Sequence, residues 1–139
     1  MRMPSVATCR SGGSAVEFAI IAPLLFLVLF SLIGYGIYLG AAHAVQQLAA
    51  DAARTAVAGL DDTERKKLVQ DYVTKSTMDT VLIDKTKLSM QVAADPANPN
   101  QFTVSVDYDA SNLPIFSLYS YAMPDTHIRR YSTMRIGGI

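Results

Sequence analysis

The chain has 139 residues, with twelve basic and twelve acidic side chains, two histidines and one cysteine. That length leaves room for one domain plus an anchor, not two full domains. Zero net charge with scattered basic residues offers nothing that would hold nucleic acid, and Cys9, being alone, cannot close an intramolecular disulfide.

The apolar residues crowd towards the amino terminus. After a leader containing Arg2 and Arg10, the stretch from Phe18 to Leu39 runs 22 residues without a formal charge. About 20 such residues suffice for a helix to cross the hydrocarbon core of a bilayer. A cleaved secretory signal has a shorter apolar core, typically about 7 to 15 residues, and a small-residue cut site soon after it. Here no polar break comes until past residue 40. Tyr35 and Tyr38 sit at the far end, where amphipathic rings favour the membrane interface. The arginines before the span, against a balanced Asp51 and Arg54 after it, put the amino terminus in the cytoplasm and the rest outside.

One acid interrupts this pattern. Glu17 stands at the start of the apolar run, directly after Gly12-Gly13-Ser14-Ala15-Val16. A carboxylate at the centre of a membrane helix costs roughly 2.5 kcal/mol or more, and less near the edge, so an acid here calls for a use.

The helix is predicted to outlast the membrane. Ala41 to Ala58 is rich in alanine, the strongest helix former, and Gly59 is a candidate C-cap. From about Ser14 to Ala58 this gives a rod on the order of 65 Å at 1.5 Å per residue. Pro23 removes one backbone bond, which predicts a kink or local melting there. Gly36 and Gly40, extended by Ala44, form a GxxxG-type face that permits close helix–helix approach. Ala49, Ala53 and Ala56 carry a small-residue surface further out.

Residues 59–139 have the mixed composition of a water-soluble module. Asp61 and Asp62 precede a helical pattern in which Leu68, Val69, Tyr72 and Val73 share a face, with Leu60 and Met78 close by. The charge run Glu64 to Lys67 reads as a solvated face. Period-two alternation then predicts strands over 87–93 and 101–108, joined through the turn-rich Asp95-Pro96-Ala97-Asn98-Pro99-Asn100. A last strand is expected over 126–135, and 110–124 reads as an irregular cover. The fold class is α+β: a long transmembrane helix continuing into a small module with about three antiparallel strands. Its parts are a leader (1–12), the transmembrane and extended helix (13–58), and the extracytoplasmic module (59–139).

Chemistry is sparse. His43 and His127 lack metal-ligand spacing, and Asp107 and Asp109 supply too few oxygens for a hard-cation loop. There is no GxSxG, phosphate-cradling glycine loop or CxxC pair. No catalytic residue, metal, cofactor or small-molecule substrate is expected, and the chain reads as a non-enzyme.

A basic leader, glycine, a few small residues, glutamate, phenylalanine and an apolar helix resemble the signature of type IV pilins and pseudopilins. The fuller string Gly12-Gly13-Ser14-Ala15-Val16-Glu17-Phe18-Ala19, with Pro23 and Gly34-Tyr35-Gly36, is similar to the TadE-like pseudopilins and the related TadF and TadG proteins of the tight-adherence (Tad) pilus and secretion system. Ala50-Asp51-Ala52-Ala53-Arg54-Thr55-Ala56 and the closing Ser132-Thr133-Met134-Arg135 also resemble that family. The likeness is strong over about residues 10–58 and loose beyond.

The resemblance implies a prepilin peptidase that cuts between Gly12 and Gly13 on the cytoplasmic side, making Glu17 the fifth mature residue. It implies a minor pseudopilin in the bacterial inner membrane, acting in pilus biogenesis and adherence. Its partners would be the bilayer, other pilins or pseudopilins, and Tad assembly proteins. Glu17 would then set axial register by meeting the new amino group of a neighbouring subunit, because a buried carboxylate is tolerated beside a positive charge. Two other readings stand beside it: a single-pass anchor carrying a binding or sensor module that joins no pilus, and a secreted enzyme with an uncut signal.

Overall fold

The computed structural model describes residues 11–76, 83–113, 115–116 and 125–136. The leader up to Arg10, with Cys9, lies outside the described residues, as do Met78 and much of the expected cover over 110–124. The described residues include the elements α1 (Ser11–Ala56), α2 (Asp62–Lys75), β1 (Leu88–Asp95), β2 (Asn98–Asp109) and β3 (His127–Arg135), with a short 3₁₀ turn over Lys85–Lys87 before β1. This is the α+β class expected from the alternating strands and the long apolar helix. The chain divides into two compact units, Met1–Gly34 and Tyr35–Ile139.

In the first unit α1 runs through Pro23 without interruption. Melting at that position is therefore not what the structure has. In the second unit the outer half of α1 buries Ala41, Ala42, Val45, Leu48, Ala49, Ala52, Ala53 and Ala56. Steps of three and four along a helix place these on one stripe. The stripe is mostly alanine, and the sheet supplies the volume opposite: Phe102, Val104, Val106 and Tyr108 on β2, Val92 on β1 and Ile128 on β3 are all buried in the same cluster. Small against large keeps the interior at close-packed density.

The sheet is antiparallel, in the order β1-β2-β3. Leu88 pairs with Tyr108 and Val92 with Val104, while Tyr108 pairs with Ile128 and Phe102 with Met134. Because strand side chains alternate, this register puts the apolar set of all three strands on one face. The turn is tighter than the six-residue connection expected: Asp95 pairs with Asn98 around Pro96-Ala97, and the Ala97 N–H donates to Asp95 Oδ1 at 2.9 Å. The register shifts after Ala94, so Pro99 falls in a bulge where its missing N–H breaks no ladder bond.

Asp61 caps α2 by accepting from the Glu64 N–H at 2.7 Å, and the Glu64 carboxylate reaches back to the Leu60 N–H at 2.8 Å. This reciprocal arrangement satisfies donors that the helix start leaves open. Val69 and Val73 are buried as expected, but Leu60 is 90 % exposed and does not join that face. The charge run also needs correction, because Arg65 is only 6 % exposed. Its guanidinium lies 5.3 Å above the Phe102 ring and donates to Asp62 Oδ1 at 2.9 Å. Here tertiary packing overrides the pattern: the first turn of α2 sits against the end of α1, so one side of the run is enclosed.

Gly59 makes that approach possible. A Cβ there would fall 2.7 Å from Arg65 Cγ and 2.9 Å from the Arg65 backbone nitrogen. Its N–H donates to the Ala56 carbonyl at 3.0 Å, and its backbone is not in the left-handed region. The glycine is thus required by space rather than by the cap conformation expected from sequence.

Candidate functional site

Glu17 lies in the second turn of α1 and is exposed, flanked by Val16 and Phe18, which are 61 % and 68 % exposed. Among the described residues it makes no hydrogen bond or ion pair. The apolar side chains that follow are also open: Ile20 is 72 % exposed and Leu32 73 %, and none of the most apolar window is buried. This one helix is long and apolar enough to cross a membrane. Inside it the backbone satisfies itself, as hydrocarbon demands. The Ser31 hydroxyl donates to the Leu27 carbonyl at 2.7 Å, so the one hydroxyl side chain between Glu17 and Gly34 is internally paired. Phe26 and Phe30 stack one turn apart with centroids at 6.1 Å.

Gly13 and Gly36 each look onto open space, with nothing within 4 Å of where a Cβ would stand. Gly40 is half-buried. Ala44 is half-buried against the core of its own module. The GxxxG face is therefore open at Gly36 and partly occupied at Ala44. Ala49, Ala53 and Ala56 are fully buried by the chain's own sheet, so they present no surface to another subunit. Tyr35 and Tyr38 sit 6.2 Å apart, and Tyr38 meets the edge of Phe116 at 6.3 Å.

Sequence reasoning missed the grouping on the outer sheet face. Asp107 accepts from Arg129 Nε at 2.7 Å and lies 2.8 Å from His127 Nδ1. Partial burial pushes the Asp107 carboxyl up, but the hydrogen bonds from His127 and Arg129 outweigh it and hold it below its ordinary value. The hydrogen bond to Asp107 in turn raises His127. Asp109 is lowered by the backbone and side-chain bonds of Ser111 and stands 3.9 Å from Lys87 Nζ. Alternation placed Asp107 and Asp109 on one face. The strand register that brings Arg129 opposite Asp107 depends on a long connection whose length carries no register information. His43 is exposed on α1 and far along the chain from these groups. Among the described residues no group of three or more His, Cys, Asp or Glu side chains is placed to hold a metal ion.

What the arrangement offers is therefore an uncovered apolar helix with one carboxylate at its entry and a compact polar module. Residues 12–54, under a third of the chain, match the family model described as TadE-like protein. The match takes in Gly12 through Glu17 and on to Arg54, and does not reach the closing Ser132-Thr133-Met134-Arg135. No curated protein and no solved structure matches the chain.

Proposed function

We propose that this chain, TadE-like over residues 12–54, is a minor pseudopilin-type structural component of a Tad pilus assembly and secretion machinery, and not an enzyme. The observation that carries the reading is the coincidence of three things in one helix: the family match, a bare membrane-length apolar surface, and Glu17 at its entry. An open apolar helix must be covered by lipid or by other helices. A lone carboxylate within it gains most where a cation from another chain meets it.

In this reading residues 1–12 are the leader, a prepilin peptidase cuts between Gly12 and Gly13, and the freed amino group of an adjacent subunit pairs with Glu17. Gly36 and Gly40, with Ala44 at the margin, give the close-approach face. The helix spans the bacterial inner membrane once, amino terminus inside, and residues 59–139 with the outer part of α1 lie outside. Other pilins or pseudopilins and Tad assembly proteins are the partners.

Mass spectrometry of the protein made with and without a prepilin peptidase tests this directly. A mature chain beginning at Gly13 only when the peptidase is present is the expected result; an intact chain in both cases sinks the reading. Glu17→Ala should insert in membranes as the wild type does but lose co-purification with pilus components, and normal assembly of that variant would remove the register role.

A further inference from the structure

The sheet has two edges, and they are not alike. At the β3 edge, Gln46 of α1 donates to the Tyr131 carbonyl at 3.3 Å, and Arg129, Arg130 and Arg135 line the strand. At the β1 edge, α2 runs alongside and leaves a groove of two adjoining hollows, of about 340 and 480 Å³. Val69 and Val73 of α2 form one wall, Met90 and Val92 of β1 the other, and among the described residues the charged side chains on the rim are Lys66 and Lys85. Met90 is half-buried and borders both hollows.

We propose that this groove is a strand-addition site for an extended segment of a partner protein, apolar at alternate residues and carrying a carboxylate opposite Lys66. Three features carry it. An edge strand turns the backbone N–H and C=O groups of every second residue outward, and β1 is an edge strand among the described residues. An added strand spends those groups on main-chain hydrogen bonds and sends every second side chain to the same side, about 7 Å apart. Two neighbouring hollows with apolar walls suit two such side chains.

Charge chooses the occupant. Among the described residues no acid lines the rim, and Lys66 makes no ion pair there. A second copy offering its β3 edge would bring Arg130 and Arg135 against Lys66, which like-charge repulsion disfavours, Arg129 being already paired with Asp107. An acidic partner segment meets no such penalty. The site lies on the soluble module and does not depend on the assembly reading of α1.

The probe is a fluorescein-labelled peptide alternating valine and threonine between terminal glutamates, titrated against the full chain in nanodiscs. A matched peptide with terminal lysines, and one with proline at the central positions, serve as comparisons. The expected result is binding of the glutamate peptide alone, with hydrogen-exchange protection gained by the β1 amides. Lys66→Glu should weaken that peptide by about fivefold or more and favour the lysine one, since an exposed pair is exchanged for a like-charge contact. The proposal is overturned by protection at β3 instead of β1, by equal binding of the proline peptide, or by an unchanged affinity in Lys66→Glu. Protection of β1 that rises with protein concentration and needs no peptide would assign the groove to a second copy and likewise overturn it. Should Lys66→Glu melt early, the glutamate and lysine peptides on the wild type make the same comparison.

Discussion

Replacing Gly59 by alanine isolates the closest backbone approach in the module. The new methyl would stand 2.7 Å from Arg65 Cγ, 2.9 Å from the Arg65 nitrogen and 3.1 Å from its Cα. Ordinary carbon contacts are about 3.5–4.0 Å, so something must move by roughly 1 Å. The Arg65 stem alone cannot give way, because two of the three atoms are backbone and the guanidinium is held between Phe102 and Asp62. The first turn of α2 has to shift, which strains the cap at Asp61 and the cover over Phe102. Overpacking of this kind costs typically 1–3 kcal/mol, and the rigid neighbour argues for about 2 kcal/mol. For a module of this size that is a loss of roughly 8–16 °C in Tm. Gly36→Ala is the matched comparison: the same methyl meets nothing within 4 Å. Thermal unfolding followed by circular dichroism in detergent should show a large downward shift for Gly59→Ala and none for Gly36→Ala. A Gly59→Ala variant melting with the wild type would refute the claim that space, not backbone conformation, selects glycine there.

Asp61→Ala removes the acceptor for the Glu64 N–H and should cost about 1 kcal/mol, read as faster hydrogen exchange in the first turn of α2 with β2 unaffected. On the outer face, the raised His127 supports the fold fully below its ordinary value of 6.5 and stops doing so as pH rises through its folded value. The lowered Asp107 supports it above its ordinary 3.8 and ceases to as pH falls through its own folded value. The pair therefore helps most between about pH 4 and 6.5. Melting should come earlier near pH 8 than near pH 5.5, and His127→Gln should shrink that difference; an unchanged difference would assign the pH dependence elsewhere. Gly36→Leu, at a position where an added Cβ meets nothing within 4 Å, should reduce association with other helices in a crosslinking assay if the open face is used.

Local periodicity carried most of this architecture. The uncharged run, the alanine-rich extension and the alternation in β1, β2 and β3 each arise from near neighbours, and each element stands where its pattern predicts. What sequence could not give is what depends on distant partners. Ala49, Ala53 and Ala56 read as an open small-residue surface because nothing local says that Phe102 and its neighbours will cover that stripe. Arg65 reads as solvated for the same reason, as its burial comes from Gly59 and Phe102 together. Leu60, apolar yet 90 % exposed, is the converse: its backbone serves the cap, and its side chain is turned away. The ion pairs of Asp107 wait on a register that only the folded sheet defines. Glu17 was legible at once, because an isolated charge in an apolar run needs no tertiary context to stand out.

The alanine stripe of α1 also sets an order of events during synthesis. Its principal cover, Phe102 on β2, is translated about 46 residues after Ala56, and Ile128 on β3 about 72 residues after it. At about 5–20 residues per second the stripe waits roughly 4–14 s for the last strand. Only α2 arrives early, with Val69 and Val73 following within about 20 residues. The helix pair is thus the one early partner the stripe can have, and the sheet must close onto a surface that has already been waiting in water.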